Sequence, residues 1–105
     1  MPVTEIRDSE RFKKISSISD KLIVIDFGAE WCGPCKRIAP MYEQLSDIMK
    51  DVVFCKVDID EFEELAQNFD VISVPTFVFI KNNNILTTVQ GANYDLIVSE
   101  CNKYA

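Results

Sequence analysis

Two cysteines, Cys32 and Cys35, are separated by two residues in the sequence Trp-Cys-Gly-Pro-Cys-Lys at positions 31–36. Thiols at this spacing, at the start of a helix, lie within disulfide distance, and a thiolate is the nucleophile of thiol–disulfide exchange. Gly33 permits the turn, and Pro34 suits a first helical turn, where no backbone N–H is required. Because unpaired amides and the helix dipole favour an anion, we expect Cys32 to be the exposed nucleophile and Cys35 the more sheltered resolving thiol.

The expected reaction has two steps. The Cys32 thiolate attacks a substrate disulfide and forms a mixed disulfide with it. Cys35 then attacks Cys32, releases the reduced substrate and closes a Cys32–Cys35 disulfide. Since this second step is intramolecular, the covalent intermediate is short-lived.

Zinc binding is the alternative chemistry for this cysteine pair. The chain has four cysteines and no histidine, which excludes His-ligated metals and Cys–His or Ser–His catalysis. Structural zinc normally uses two close pairs of ligands, whereas Cys55 and Cys101 are far apart in the sequence. Both lie on apolar faces of predicted elements, so we expect them to be buried and inert, with a regulatory role as the alternative. We expect no metal.

The composition is that of a small, acidic globular protein. Its 105 residues, 48% of them hydrophobic, fit a single domain spanning residues 1–105. A net charge of −6 disfavours nucleic acids and anionic membranes as partners. No apolar run approaches the roughly 20 residues that span a bilayer, and the first residues do not resemble a secretory signal. We expect a monomeric, cytoplasmic protein.

The first half of the chain predicts two strands and a helix ahead of the cysteines. Residues 3–6 are typical of a short strand, and Asp8 or Ser9 can cap the helix that follows. Residues 22–27 form a nearly unbroken apolar run, which is typical of a central strand covered on both faces.

A longer helix and a further strand–helix pair follow the cysteines. Apolar spacing predicts a helix from residue 34 to about residue 50, and Pro40 inside it should introduce a kink. Residues 52–57 predict a strand, and Asp60 with Glu63 resembles a capping box for the next helix.

The last third predicts a hairpin and a final helix. Residues 76–80 and 85–89 are strand-like, and the three asparagines between them tolerate the left-handed backbone of a tight turn. Asn93 can cap the closing helix. The order βαβαβαββα predicts an α/β fold, with a central mixed five-stranded sheet flanked by four helices.

Residues 31–36, in their position between a buried strand and a helix, resemble the active-site motif of the thioredoxin family. The segment 74–76, Val-Pro-Thr, and Gly91 also match, and the resemblance covers essentially the whole chain. It implies the thioredoxin fold and a protein disulfide reductase. Such a protein carries electrons from thioredoxin reductase to protein disulfides and contributes to cell redox homeostasis.

The resemblance also implies the partners. NADPH is used only indirectly, through the reductase, and no cofactor is bound apart from the redox-active disulfide. The implied clients are peroxiredoxins, ribonucleotide reductase and methionine sulfoxide reductase. The chain contains no Gly-rich dinucleotide fingerprint of its own.

Asp26 is a carboxylate inside the apolar strand that precedes the cysteines. Burial there should raise its pKa. The resemblance implies that it exchanges a proton with Cys35. The alternative is a structural polar group satisfied by a partner such as Lys56, and the two roles are compatible.

The resemblance further implies a surface on which substrate chains dock. It implies a cis Val74–Pro75 peptide bond, where the Val74 backbone pairs with a substrate, and a hydrogen bond from Trp31 to Asp60. A core position is the alternative for Trp31, and a bare turn is the alternative for Gly91, which would otherwise let a substrate backbone approach. The expected docking residues are Trp31, Gly33, Pro34, Ile72, Val74, Pro75, Thr76, Gly91 and Ala92.

Two segments depart from the family pattern. Gly28-Ala29-Glu30 precedes Trp31 where many relatives carry a small polar residue at the first or third position, and the asparagine turn usually contains glycine. We expect neither segment to touch the sulfur chemistry, although the charge of Glu30 can influence which partners dock.

Two other functions remain as alternatives. An oxidase or isomerase on the same fold is disfavoured by the Gly33-Pro34 pair, since isomerases usually carry Gly-His between the cysteines. A binding module that docks partners without turnover is disfavoured as the sole role by the intact cysteine pair.

Overall fold

The structure is a computed structural model and describes residues 3–105, so residues 1 and 2 of the predicted domain lie outside it. Strands and helices alternate along the chain in the predicted order βαβαβαββα. The elements are β1 Thr4–Glu5, α1 Ser9–Ser16, β2 Ile23–Gly28, α2 Gly33–Ile48, β3 Val53–Asp58, α3 Glu63–Asn68, β4 Thr76–Lys81, β5 Asn84–Gln90 and α4 Tyr94–Tyr104.

The five strands form one mixed sheet in the order β1-β3-β2-β4-β5. β3 pairs in parallel with both β1 and β2, whereas β4 pairs antiparallel with β2 and with β5. The predicted α/β fold, with a mixed five-stranded sheet and four helices, is therefore confirmed. β2 is the central strand and leads directly into the cysteine motif.

Side chains of β2 alternate between two separate apolar cores, one on each face of the sheet. Val24 packs with residues of α2 and α4, including Ile38 and Ile97. Ile25 packs on the other face with residues of α1 and α3, including Ile15 and Leu65. Coverage of both faces is the reason why residues 22–27 are almost wholly apolar. By the same alternation, Asp26 shares the face of Val24, toward α2.

The N-terminal caps of α1 and α4 are those that the sequence predicts, whereas that of α3 differs. The side chains of Asp8 and Asn93 accept hydrogen bonds from backbone amides in the first turns of α1 and α4. The predicted capping box at Asp60 and Glu63 is wrong, because α3 begins after Phe62 and has no side-chain cap. Asp60 instead accepts a hydrogen bond from Trp31.

The β4–β5 hairpin turns at two consecutive asparagines in the left-handed region, Asn82 (φ 51°) and Asn83 (φ 66°). This confirms the expectation for the asparagine turn, since asparagine tolerates this backbone better than most residues. Asn82 also exchanges two hydrogen bonds with Asp20, of 2.8 and 3.2 Å, and so ties the hairpin to the loop before β2.

Element ends differ from the sequence predictions by a residue or two. β1 is shorter than the predicted residues 3–6, while β2 and β3 begin and end one residue later than predicted. Pro40 lies inside α2 as expected. Within residues 3–105, no helix is long and apolar enough to cross a membrane.

Candidate active site

Cys32 and Cys35 form a disulfide at the N-terminus of α2, with 5.3 Å between their Cα atoms. Cys32 is the N-cap residue, with an extended backbone, and its Sγ accepts a hydrogen bond of 3.1 Å from the backbone N–H of Cys35. Pro34 falls in the first turn, where a missing N–H costs nothing. The first sulfur therefore lies among the free amides of a helix N-terminus, where a thiolate is stabilised.

The relative exposure of the two cysteines differs from the sequence prediction. In this disulfide form only 4% of Cys32 is exposed, whereas Cys35 is half-buried, so the expectation of an exposed Cys32 and a sheltered Cys35 is wrong. The physical reason is twofold. Cys32 turns back onto the helix through its own hydrogen bonds, and Gly28 carries no side chain to cover Cys35.

Asp26 is a buried carboxyl behind the disulfide. Only 9% of the residue is exposed, and burial raises its pKa from the usual 3.8 to about 7, while the positive charge of Lys56 acts in the opposite direction. Its Oδ1 has no hydrogen-bond partner among residues 3–105. Lys56 is the in-register neighbour on β3, but its side chain is exposed and does not bond the carboxyl. The alternative in which Lys56 satisfies Asp26 by a hydrogen bond is thus not realised.

A cavity of about 370 Å³ connects these groups to the protein surface. Asp26, Gly28 and Cys35 line it, together with Lys56 from the neighbouring strand. An ideal Cβ on Gly28 would lie 3.3 Å from Cys35 Sγ and 3.7 Å from Asp26 Oδ1. The carboxyl and the second sulfur therefore face the same small space above Gly28.

The pairing of strands brings the distant proline and glycine to the same end of the sheet. Thr76, the first residue of β4, lies opposite Phe27 on one side and Gln90 on the other. The Val74–Pro75 bond before it is cis, and Pro75 O accepts a hydrogen bond of 2.8 Å from Gly91 N–H. These two segments consequently adjoin the end of β2 that leads into the cysteines.

Exposed apolar side chains surround this end of the sheet. Trp31 is 67% exposed, which excludes the core alternative, and its indole N–H donates a 2.9 Å hydrogen bond to Asp60. Ile72 is 85% exposed, and Ala92 is exposed as well. Trp31 directly precedes Cys32, and Ile72 lies two residues before the cis Val74–Pro75 bond, so both are candidate contacts for a partner that reaches the disulfide.

The two remaining cysteines lie on opposite faces of the sheet. Cys55 belongs to the core under α1 and α3, and Cys101 to the core under α2 and α4. Both are fully buried, and burial raises the pKa of each thiol to about 12. Since the four cysteines do not converge, they cannot share one zinc ion, and residues 3–105 contain no cluster of metal-binding side chains.

Two features of the site are not predictable from local sequence patterns. The Tyr42 hydroxyl lies 3.1 Å from Val24 O and 2.8 Å from Cys55 O, and so joins α2 to β2 and β3. The expectation that the Gly28 segment does not touch the sulfur chemistry is wrong, because Gly28 lies beside both Asp26 and Cys35, a contact that only the packing of β2 against α2 creates.

Comparison with known proteins agrees with this site. The family model described as Thioredoxin matches residues 3–103. Thioredoxin-1 of Caenorhabditis elegans is 47% identical over 76 residues, which cover 72% of this chain and 66%, just under two thirds, of that protein. Thioredoxin-2 of Saccharomyces cerevisiae is 43% identical over 91 residues, which cover 87% of this chain and 88% of that protein.

Solved structures show the same likeness. The crystal structure of thioredoxin NaTrxh from Nicotiana alata has a TM-score of 0.93 and 37% identity, and covers 98% of this chain and 92% of that one. A structure concerned with thiol resolution in a yeast mitochondrial 1-Cys peroxiredoxin via glutathione and thioredoxin systems has a TM-score of 0.89 and 31% identity. That match covers 96% of this chain and 94% of the other. With the disulfide at the helix N-terminus and the matched sequence of nearly the whole chain, this protein belongs to the thioredoxin family.

Proposed function

We propose that this chain is a protein disulfide reductase in which Cys32 attacks the substrate and Cys35 resolves the intermediate. The observation that carries the proposal is the Cys32–Cys35 disulfide at the N-terminus of α2 in a chain of the thioredoxin family. Its redox-active group is that disulfide itself, and thiol–disulfide exchange with client proteins contributes to cell redox homeostasis.

In the first step the reduced protein uses the Cys32 thiolate. Its sulfur accepts the Cys35 amide N–H and lies at the positive end of the α2 dipole, so this thiol ionises more readily than one in water. It attacks one sulfur of a client disulfide, forms the Cys32–client bond and releases the other client sulfur as a thiolate.

In the second step Cys35 acts on the mixed disulfide. Its thiol transfers a proton to Asp26, and the resulting thiolate attacks the Cys32 sulfur. The Cys32–Cys35 bond forms, the Cys32–client bond breaks, and the client leaves as a thiolate that solvent protonates. Support for Asp26 as the proton acceptor is its pKa of about 7, which burial produces and which suits proton exchange near neutral pH.

Docking is assigned to the surface around the cysteines. The exposed Trp31 and Ile72 supply apolar contacts, and Asp60 supports the Trp31 indole. The Val74 backbone, beside the cis Pro75, pairs with the extended client chain. The remaining proposed contacts are Gly33, Pro34, Thr76, Gly91 and Ala92.

Partners follow from the family. Thioredoxin reductase, driven by NADPH, returns the disulfide to the dithiol, and the clients include peroxiredoxins, ribonucleotide reductase and methionine sulfoxide reductase. The peroxiredoxin class has support from the similar structure that concerns resolution of a peroxiredoxin thiol. We assign the activity to a monomer in the cytoplasm, made of one domain over residues 1–105.

A trapping experiment tests the proposal. Cys35→Ser removes the resolving thiol, so clients from a native extract should remain attached to Cys32 as reducible mixed disulfides that mass spectrometry identifies. Cys35→Ser combined with Cys32→Ser should trap nothing, whereas Cys35→Ser combined with Cys55→Ser should trap the same clients. Attachment at Cys55, or no attachment at all, would contradict the assignment of Cys32 as nucleophile.

A further inference from the structure

The proposed docking segment, residues 72–76, is exposed where it begins and buried where it ends. Ile72 and Ser73 are exposed, and Val74 is half-buried. Pro75 and Thr76 lie in the interior, and only 2% of Thr76 is exposed. Because a client cannot reach the Thr76 side chain, this residue serves docking through its neighbours.

The Thr76 hydroxyl forms a hydrogen bond with a backbone carbonyl three residues earlier in the chain. Its Oγ1 donates a bond of 2.6 Å to the carbonyl oxygen of Ser73. A buried hydroxyl needs such a partner, whereas the carbonyl of an exposed residue could equally accept a bond from water. The bond therefore does more than satisfy Ser73, since it turns this carbonyl inward toward the buried start of β4.

The same peptide unit carries the Val74 N–H. The cis bond in residues 3–105 is Val74–Pro75, so the preceding Ser73–Val74 bond is trans. In a trans peptide the C=O and N–H groups point in opposite directions. Since the carbonyl points inward to the Thr76 hydroxyl, the N–H points outward. Among residues 3–105 no acceptor takes this N–H, which leaves it available to a carbonyl of a docked chain.

We propose that Thr76 is a positioning residue of the docking surface, whose hydroxyl holds the Ser73–Val74 peptide unit so that the Val74 N–H faces a backbone carbonyl of the client. The inference rests on the proposed function, in which the Val74 backbone pairs with the client chain. Such a contact recognises the peptide bond of an extended segment and not a particular side chain. A donor that is held in place before the client arrives need not be ordered on binding.

Other hydrogen bonds hold the two ends of the segment. Before it, α3 ends in a Schellman motif, in which the Val71 N–H donates a 3.0 Å bond to Ala66 O and Asp70 has a left-handed backbone at φ 55°. After it, the Gly91 N–H donates a 2.8 Å bond to Pro75 O. Removal of the threonine hydroxyl therefore leaves both ends in place and frees only the peptide unit that the hydroxyl holds.

The test compares Thr76→Val with Thr76→Ser. Valine has the shape of threonine without its hydroxyl, whereas serine keeps the hydroxyl and lacks only the methyl group. Thr88→Val makes the same change as Thr76→Val at an exposed position of β5 and is the matched control. Thermal unfolding of each variant establishes that it is folded.

The probe is a short alanine-rich peptide whose one cysteine is joined by a disulfide to thionitrobenzoate. Attack by Cys32 on the peptide sulfur forms the mixed disulfide and releases the coloured thionitrobenzoate anion, so a stopped-flow instrument gives the rate constant. In a matched set of peptides, one peptide bond near the cysteine at a time is replaced by a trans alkene. The alkene preserves the geometry of the chain but removes the carbonyl acceptor.

We expect the parent protein to react about fivefold faster with the all-amide peptide than with one of the alkene peptides, which is the effect of one hydrogen bond. Thr76→Val should reduce this ratio to within about twofold. Thr76→Ser and Thr88→Val should keep the parent ratio. A general loss of stability or of thiol reactivity would slow the reactions with both peptides alike and would leave the ratio unchanged.

Three results would overturn the inference while leaving the proposed reduction of disulfides intact. They are a parent ratio retained in Thr76→Val, a ratio lost equally in Thr76→Ser, and a parent protein that reacts with every alkene peptide as fast as with the all-amide peptide. Failure of the parent to release thionitrobenzoate would instead contradict the proposed function.

If Thr76→Val does not fold, the mixed disulfide between the peptide and Cys35→Ser decides. Attachment of the peptide should slow hydrogen exchange of the Val74 amide by about fivefold or more, as NMR measures it. An exchange rate that attachment leaves unchanged overturns the inference.

Discussion

Asp26 on β2 lies in register with Lys56 on the adjacent strand β3, yet among residues 3–105 no hydrogen bond or ion pair joins the two side chains. The Lys56 side chain is exposed, which keeps its ammonium hydrated, while the carboxyl remains buried. Burial therefore prevails over the attraction of the nearby charge, and it raises the pKa of Asp26 to about 7.

The first prediction concerns stability and pH. Below about pH 4 the Asp26 carboxyl is protonated in both the folded and unfolded chain, and between 3.8 and about 7 only the unfolded chain ionises it. The folded state thus loses stability as pH rises through this window, in total by about 4 kcal/mol. Asp26→Asn removes this loss, so it should raise the free energy of unfolding at pH 8 but change it little at pH 4.

Denaturant unfolding of the oxidised protein at the two pH values measures this difference. Asp95→Asn, at an exposed position in the first turn of α4, is the matched control and should show no such gain at pH 8. An equal effect of Asp26→Asn at both pH values would show that the carboxyl is not perturbed by burial.

The second prediction concerns the charge of Lys56. Because this ammonium lowers the pKa of Asp26, Lys56→Met should raise that pKa above its parent value of about 7. Carboxyl-carbon NMR of Asp26 over a pH titration measures the shift. Lys21→Met, which removes an equal charge before the opposite end of β2, serves as the control and should leave the titration in place. An unchanged titration in Lys56→Met would contradict a charge interaction across the strand pair.

The third prediction concerns the β4–β5 turn. Asn83 adopts a left-handed backbone at φ 66°, where glycine is favoured, so Asn83→Gly should stabilise the protein by about 0.5–1 kcal/mol. Asn82 has a similar backbone, but its side chain makes two hydrogen bonds with Asp20. Asn82→Gly loses them and should be neutral or destabilising. Thermal unfolding measures the melting temperature of each variant. An equal rise in both variants would contradict a role for the Asn82 hydrogen bonds.

The fourth prediction concerns the two free thiols. Burial raises the pKa of Cys55 and Cys101 to about 12, so neither should react with iodoacetamide at pH 8 in the folded, oxidised protein. Mass spectrometry should find two alkylated cysteines only after denaturation. Rapid labelling of either thiol in the folded protein would contradict its being inert and would favour a regulatory role for that cysteine.

Local pattern was sufficient for most of the architecture. The apolar run at residues 22–27 and the helical spacing after Pro34 identified the central strand and the helix that carry the site, and Asp8 and Asn93 identified two caps. The capping box at Asp60 failed because a tertiary hydrogen bond from Trp31 takes up that carboxylate. A local sequence pattern does not show a hydrogen-bond partner that lies so far away along the chain.

The residues of the site could be predicted from the sequence more readily than their arrangement. The sequence identified Cys32, Cys35 and Asp26, but it assigned the greater exposure to the wrong cysteine. Exposure of Cys35 depends on Gly28, seven positions earlier in the chain, which faces Cys35 only after β2 and α2 have packed. Such a contact between two elements leaves no periodic signal in the sequence.

The central claim is that the Cys32–Cys35 pair is a reductant of protein disulfides, and its midpoint potential tests this most directly. Equilibration of the purified protein with defined ratios of reduced and oxidised dithiothreitol, read by thiol alkylation and mass spectrometry, gives the value. The account predicts a potential near the general thioredoxin value of about −270 mV. A potential of about −120 mV, typical of a strong disulfide oxidant, would contradict it.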